Sequence, residues 1–541
     1  MFSDFRREEP DALARRLEAM TLPDSVYDLL LNTATRVPTA PAWRFLDDGV
    51  ERNWGEVLAK VDTAAAALSA VGIGPGVHVA VMSWNREEFP ITWLALSRLQ
   101  AVMVPVNATY TAREVEYVLK TSLATYMVLE AEFLPHMDTL EAVTLDPSHI
   151  IVIGDAVSDR HRNWQVLMDE ARGRQAPAIP RSMDATLNLQ YTSGTTGFSK
   201  ACMLSNEYWL CLGISSAEFF ATDLRRFYVG SSFFYMVGQR ILLNAIVSGG
   251  CAFFPRKPGA KRFMPDVSAL ECDYCALFEM VYKQPPRPSD ADNKLKIATI
   301  FAFGPESHAD FQRRFNVYGQ EYYGMTEIGG GSYVPAHRLP EMTGSGSCGV
   351  AAPFRELMVT GKDGKPVPTG ETGELWVRGR GILKGYFGNE EATADAFTNG
   401  WFRTGDLCRV DSEGYHYILG RTKDMVRRMG ENIAAREVEV VLRTLEQIQD
   451  AAIVPVPDDY RGEEIKAYIL LAPGVTPESC MPEFIADYCS RHLAGFKVPR
   501  YYEFRDSFPL TDSQRVQKKH LIAEKPDLRV GAYDRQDKIW R

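Results

Sequence analysis

The chain has 541 residues, 45% hydrophobic and 24% charged, with a formal net charge of −10. That length predicts a large domain plus a small one, and the acidic balance argues against a nucleic-acid surface as its main business. No apolar run reaches the roughly 18 residues of a membrane span, MFSDFRREEP has no apolar core like a signal peptide's, the end Ile539-Trp540-Arg541 shows no lipidation or peroxisomal tag, and nine dispersed cysteines suit reduced thiols in a cytoplasmic protein.

Apolar residues from Trp54 to Val71 recur at helical period. A Gly-Ile-Gly-Pro-Gly turn follows, then the apolar run Val77 to Met82, which predicts a buried strand. Phe89 to Leu99 predicts a helix, Val102 to Val106 a strand, Thr111 to Lys120 a helix capped by Thr111, and Tyr126 to Leu129 a strand. Strands and helices alternating at this spacing predict parallel βαβ units.

Tyr191 to Lys200 reads YTSGTTGFSK. Gly194 and Gly197 let the backbone turn tightly and expose N–H groups, a concavity suited to anions. Hydroxyls on Thr192, Ser193, Thr195 and Thr196 add rotatable donors, and Lys200 follows. A strand over Ala185 to Gln190 and a helix over Asn206 to Leu212 would make the stretch a phosphate cradle. It does not fit the Walker pattern G-x-x-x-x-G-K-[ST].

Cys272 and Cys275 have C-x-x-C spacing, but Tyr274, Ala276, Leu277 and Phe278 around them predict a buried strand rather than a zinc or redox site. Gly344 to Gly349 (GSGSCG) matches a dinucleotide fingerprint in letters only, since no strand precedes it and no clean helix follows.

YTSGTTGFSK resembles the signature loop of the adenylate-forming superfamily, which includes acyl-CoA ligases, peptide-synthetase adenylation domains and luciferases. In that family the loop clasps ATP phosphates, and a Pro-Lys-Gly run usually follows its second glycine; here Ser199, Lys200 and Ala201 stand there. Later motifs keep the family's order, so the resemblance covers nearly the whole chain. It implies that Gly304-Pro305-Glu306 lies along adenine. Tyr322, Tyr323, Gly324, Met325 and Thr326 are implied nucleotide contacts, and within Tyr322-Tyr323-Gly324-Met325-Thr326-Glu327 the resemblance implies that Tyr323 stacks on the base, Thr326 reaches the α-phosphate and Glu327 holds Mg²⁺. Asp406, in Phe402-Arg403-Thr404-Gly405-Asp406, and Arg421 are the implied ribose contacts. The acyl pocket is placed at Phe233, Tyr235, Met236, Val237, Phe303 and Met325, with Tyr235 where the family commonly has histidine. That set is apolar and without a buried charge, which points to a lipophilic carboxylic acid.

The same resemblance makes Lys423 a hinge between a large N-terminal α/β domain of packed sheets and helices, residues 1–420, and a small mobile C-terminal α+β domain, residues 421–541. Gly430 would let the pantetheine arm of coenzyme A pass, since a Cβ there would obstruct the thiol. Arg428, beside Arg427, is a candidate for the CoA phosphates, with a solvated charge pair as the alternative.

The last motif departs from the family. Where Thr-x-x-Gly-Lys is usual, the chain has Thr511-Asp512-Ser513-Gln514-Arg515, so Arg515 stands for the lysine that bridges carboxylate and α-phosphate. A register using Lys518 would need an insertion and lose Val516. Guanidinium is broad and forked where ammonium is a compact point charge. The sequence therefore predicts an acyl-CoA ligase that converts preformed acyl-AMP and CoA to a thioester, fed by a separate adenylating enzyme. The alternatives are a complete ATP-dependent synthetase that tolerates Arg515, an adenylation enzyme loading a carrier protein, or a nucleotide binder without turnover. Oligomeric state stays open, a homodimer being one option.

Overall fold

A computed structural model describes residues 5–155, 160–192, 200–301, 303–421, 424–428, 431–458, 461–493, 495–511 and 515–541. It forms two compact units. The larger holds the described residues up to Thr192, Lys200–Glu356 and Val377–Gly400; the smaller holds Leu357–Trp376 and the described residues of Trp401–Arg541. The boundary expected at Gly420 thus falls earlier. Strand Trp401–Val410 pairs antiparallel with His416–Arg421, Asp406 opposite Arg421, which makes residues 401–420 part of the smaller unit. Leu357–Trp376 joins them through Thr404 Oγ1, which donates to Leu375 O at 2.7 Å, and Gly405 N, which donates to Glu374 at 3.2 Å.

In the larger unit one sheet carries strands in the order Arg162–Asn163, Ile150–Ile153, Tyr126–Glu130, His78–Met82, Val102–Val106, Thr186–Tyr191 and Ala201–Ser205. All pairs but the last are parallel, the arrangement expected of βαβ units. The crossover helices between these parallel strands, Glu88–Leu99 and Ala112–Ser122, and the helix Trp54–Ala70 that leads in from the second sheet are those read from the sequence. Trp54–Ala70 starts on an Asn53/Glu56 capping box, and Ala112–Ser122 on one made by Thr111 and Glu114. The second sheet runs Val350–Ala351, Gly329–Tyr333, Tyr318–Met325, Ile297–Ile300, Tyr274–Leu277, Arg226–Tyr228, Cys251–Phe254, Pro41–Phe45, Val50–Asn53. Helix Asn206–Phe219 touches strands of both sheets and so lies between them. Trp93 and Trp209 meet edge to face at 5.3 Å in that layer.

The helix expected from Asn206 starts there, but the order strand, loop, helix lacks one strand. Tyr191 pairs with Ala201, and Thr192 N donates to Lys200 O at 3.0 Å, so the loop joins two antiparallel strands and Ala201–Ser205 stands between it and the helix. Ser205, the N-cap of that helix, is spent on Tyr208 N. Cys272 and Cys275 are buried on and beside strand Tyr274–Leu277, and burial pushes both thiols up, as a structural pair requires.

In the smaller unit a sheet runs Glu431–Ala434, Met425–Arg428, Gly462–Leu471, Tyr501–Arg505, Tyr533–Asp534, Ile539–Trp540, with Ile448–Asp458 also paired to Gly462–Leu471. One core joins Val438 and Leu442, from helix Ala435–Arg443, and Ile485, from helix Pro482–His492, to Ile453, Ile465 and Tyr502. Leu521, from helix Lys518–Ala523, packs with Val454 and Tyr468 in another.

Candidate active site

Strand Tyr318–Met325 delivers the motif expected to meet the nucleotide. Side chains alternate along a strand, so Tyr322 and Tyr323 part company. Tyr323 is half-buried, beside Gly331, where a Cβ would stand 2.8 Å from its ring. Tyr322 is 4% exposed and packs edge-on to Phe301 and against Phe219. Tyr322, expected among the nucleotide contacts, is thus turned into the layer beneath. Gly324 is required here, because a Cβ would lie 2.3 Å from Gly329 O across the bulged strand pair.

Beyond the strand, three successive carbonyls are gripped by different parts of the larger unit. Tyr208 donates its hydroxyl to Thr326 O at 2.9 Å, Leu383 N donates to Glu327 O at 2.8 Å, and Arg355 donates to Ile328 O through Nε at 3.0 Å and Nη2 at 2.7 Å. Burial pushes the Tyr208 phenol well up, so it stays protonated as a donor. Arg355 spends its remaining donors on the carbonyls of Phe354, Arg380 and Gly381. The Glu327 carboxylate accepts the Tyr386 hydroxyl at 3.0 Å, and the Lys200 ammonium lies 4.7 Å from the centre of the Tyr386 ring. Sequence reasoning misses Arg355, Tyr208 and Tyr386. The only signal for Tyr386 is its Gly-Tyr pair, and none marks the other two.

No group of three or more His, Cys, Asp or Glu side chains could hold a metal ion among the described residues. A single buried carboxylate with hydroxyls nearby fits Mg²⁺, which keeps waters and phosphate oxygens in most of its coordination sphere.

Gly304, the N-cap of helix Pro305–Phe315, is half-buried, and Pro305 and Glu306 are exposed in its first turn. Glu321 accepts from Phe303 N at 2.9 Å and ties this turn to the strand. Two expected pocket residues sit elsewhere. Phe303 packs on Phe311 and Tyr282 in the helix–sheet core, and Phe233 is wholly buried against Phe89 and Trp93. Both are apolar contacts, as expected, but they face the core instead of a pocket. Tyr235, Met236, Val237 and Met325 are half-buried. Buried amides fix the segment that carries the first three. Asn85 accepts from Phe233 N, while Gln239 and Gln190 donate to the carbonyls of Phe233 and Phe234. Asn107 donates to the Tyr235 hydroxyl at 3.2 Å.

In the smaller unit Asp406, buried, pairs with Arg421 Nε at 2.7 Å, and Arg421 Nη1 also donates to Thr404 O at 3.1 Å. Arg515 is brought to this pair from about a hundred residues away in sequence. It is solvent-exposed by surface area, yet its guanidinium is held below the ordinary arginine range, first by desolvation and then by the Arg421 charge, with Asp406 opposing and Arg436 adding to it. The Leu510–Val516 bridge and the bond from Thr511 N to Arg515 O at 2.8 Å fold this stretch back on itself. Lys518 is 2.5 Å from Glu439. Arg428 is held by both oxygens of Glu464, at 2.8 and 3.2 Å, so its fork faces a carboxylate of its own sheet rather than standing ready for a CoA phosphate. Ser193 to Gly197, Lys423, Gly430 and Gln514 lie outside the described residues.

The AMP-binding enzyme family matches residues 30–387, and the AMP-binding enzyme C-terminal domain matches residues 437–515. A feruloyl-CoA synthase of Amycolatopsis sp. is 31% identical over 488 residues, covering 87% of this chain and 93% of that protein. A crotonobetaine/carnitine–CoA ligase of Shigella dysenteriae is 28% identical, covering 86% and 92%. Among solved structures, the anthranilate CoA ligase AuaEII in complex with anthranoyl-AMP shares the fold with a TM-score of 0.81 at 22% identity, covering 94% of this chain and 98% of that one. The chain belongs to the AMP-binding enzyme family and is an acyl-CoA ligase, an acid–thiol ligase of the adenylate-forming superfamily.

Proposed function

We propose that this ligase forms an acyl-CoA thioester through an acyl-adenylate, and that Arg515 makes it slow or inactive in the first half and competent in the second. The observation that carries this reading is the pairing of Lys518 with Glu439, which leaves Arg515 rather than Lys518 near Asp406 and Arg421.

In the first half a substrate carboxylate oxygen attacks the α-phosphorus of ATP and pyrophosphate leaves. Tyr323 would stack on adenine, Asp406 and Arg421 would hold the ribose, Thr326 would reach the α-phosphate, and Glu327, oriented by Tyr386, would hold Mg²⁺. The signature loop from Thr192 to Lys200 would take the remaining phosphates. Mg²⁺, when bound, neutralises phosphate charge. Arg515 meets the developing charge as a planar fork where a point charge is usual. A misplaced charge-stabilising donor costs on the order of 10²–10³ in rate. In the second half the CoA sulfur attacks the acyl carbon, the bond to AMP breaks, and AMP leaves. This half does not need Arg515, and Gly430 would pass the thiol. The half-buried wall of Tyr235, Met236, Val237 and Met325 supports a mainly apolar acid, and a separate adenylating enzyme would supply its acyl-AMP.

The test is two parallel feeds to the purified protein over a panel of acids: acid with ATP, Mg²⁺ and CoA, and synthetic acyl-AMP with CoA. Thioester from acyl-AMP alone is the expected result. Equal rates from both feeds would show a complete synthetase that tolerates Arg515.

A further inference from the structure

Arg240 is the buried charge that a reading of the pocket as wholly apolar leaves out. It lies on helix Met236–Ser248, 1% exposed, one turn beyond the half-buried Met236 and Val237. Residues three and four apart share one helix face, so the wall those two present continues inward to the Arg240 guanidinium.

That guanidinium is incompletely satisfied. Its carbon sits 5.1 Å from the centre of the Tyr322 ring, and Nη2 donates to the Tyr274 hydroxyl at 3.0 Å. Nη1 is buried with no hydrogen-bond partner, and so are the Tyr322 hydroxyl and, one turn further along the helix, Asn244 Nδ2. No carboxylate pairs with Arg240 among the described residues. Buried charges are ordinarily paired and buried donors ordinarily bonded, and a native chain that keeps an exception generally uses it. Tyr322 meets Phe301 edge to face at 6.1 Å, and Phe301 stacks on Phe278 at 5.6 Å. Both phenylalanines are half-buried, so the unsatisfied donors lie one aromatic layer below accessible surface.

We propose that Arg240 and the Tyr322 hydroxyl form the inner end of the acyl site and take an oxygen acceptor, most strongly an anionic one, borne by the acid at the end remote from the carboxyl that is activated. The substrate class is then a bifunctional acid, apolar along its length and polar at its tip. This rests on the acyl-CoA ligase reading above.

The experiment uses matched acids on one skeleton, 3-phenylpropanoic acid and its 4-hydroxy and 4-carboxy derivatives, together with their acyl-adenylates. The wild-type protein is compared with Arg240→Met and Tyr322→Phe, folding being checked by melting temperature. Thioester formation should favour an oxygen-bearing member by about tenfold or more in kcat/KM, since a site built to bond a polar group rejects the analogue that lacks it. Arg240→Met should abolish that preference, raising KM for the oxygen-bearing acids about tenfold more than for the plain acid. Equal loss on all members, or no preference in the wild type, would overturn the proposal and make Arg240 a structural pin. Calorimetric binding of the same acids is read alongside turnover. A preference in binding without thioester would keep the site and sink the ligase reading; thioester without preference would do the reverse. If Arg240→Met does not fold, Tyr322→Phe, which keeps the ring, must lower the preference by at least about threefold.

Discussion

Lys518 holds its ammonium 2.5 Å from Glu439, whose Oε1 also accepts Ile453 N at 2.8 Å. The bond pins the start of helix Lys518–Ala523 to helix Ala435–Arg443 and engages the Lys518 ammonium, in keeping with the proposal that Arg515 stands at the adenylate. Arg515→Lys should therefore raise ATP–pyrophosphate exchange, by on the order of 10², and leave thioester formation from acyl-AMP within about threefold. An unchanged exchange rate would put the block elsewhere.

Lys518→Ala should act on stability. It leaves the 6%-exposed Glu439 with Arg443, at 3.8 Å, as a remaining cation, so the loss should fall below about 3–5 kcal/mol, the cost of a buried charge left wholly unpaired. Thermal melting should register the loss, while the ratio of the two half-reactions should not move.

Tyr386→Phe removes the donor that orients the Glu327 carboxylate. A hydrogen bond to a charged group contributes about 1.5–3 kcal/mol, so the Mg²⁺ concentration for half-maximal adenylation, measured in the Arg515→Lys background, should rise about tenfold or more.

Arg355→Met leaves the carbonyls of Ile328, Phe354, Arg380 and Gly381 without this donor. Each buried acceptor left unpaired costs about 1–3 kcal/mol. A large drop in melting temperature is expected, relieved by ATP and Mg²⁺ if the Glu327 turn is what loosens.

Asp534 supplies a pH signature. Its burial would raise the carboxyl, but hydrogen bonds from Arg500 and Arg541 outweigh that and lower it from 3.8 to about 2. A depressed folded-state value adds stability above the unfolded value, lost as pH falls from about 4 to 2, and the shift is equivalent to about 2 kcal/mol. Asp534→Asn should lower stability at pH 7 and flatten that part of the acid-unfolding curve.

Much of the site is legible in the sequence because its chemistry is local. The residues proposed for the base, the phosphate and Mg²⁺ fall within Tyr323 to Glu327, and Asp406, proposed for the ribose, stands in its own short motif. Phe233 and Phe303 show the limit, since an apolar residue reads alike whether it faces a core or a pocket. Strand alternation could separate Tyr322 from Tyr323, but only with the strand's buried face already known.

From its residue order alone the chain determined the alternating elements, their caps, the family and the exchange of lysine for Arg515, all carried by spacing within short windows. Tertiary structure alone decided that Lys518 is taken by Glu439, that Arg355 grips the Glu327 turn, and that Arg240 lies buried with no carboxylate partner among the described residues. Each depends on which atoms meet after the chain has closed, and for a charged side chain that meeting, rather than its identity, sets what it can do.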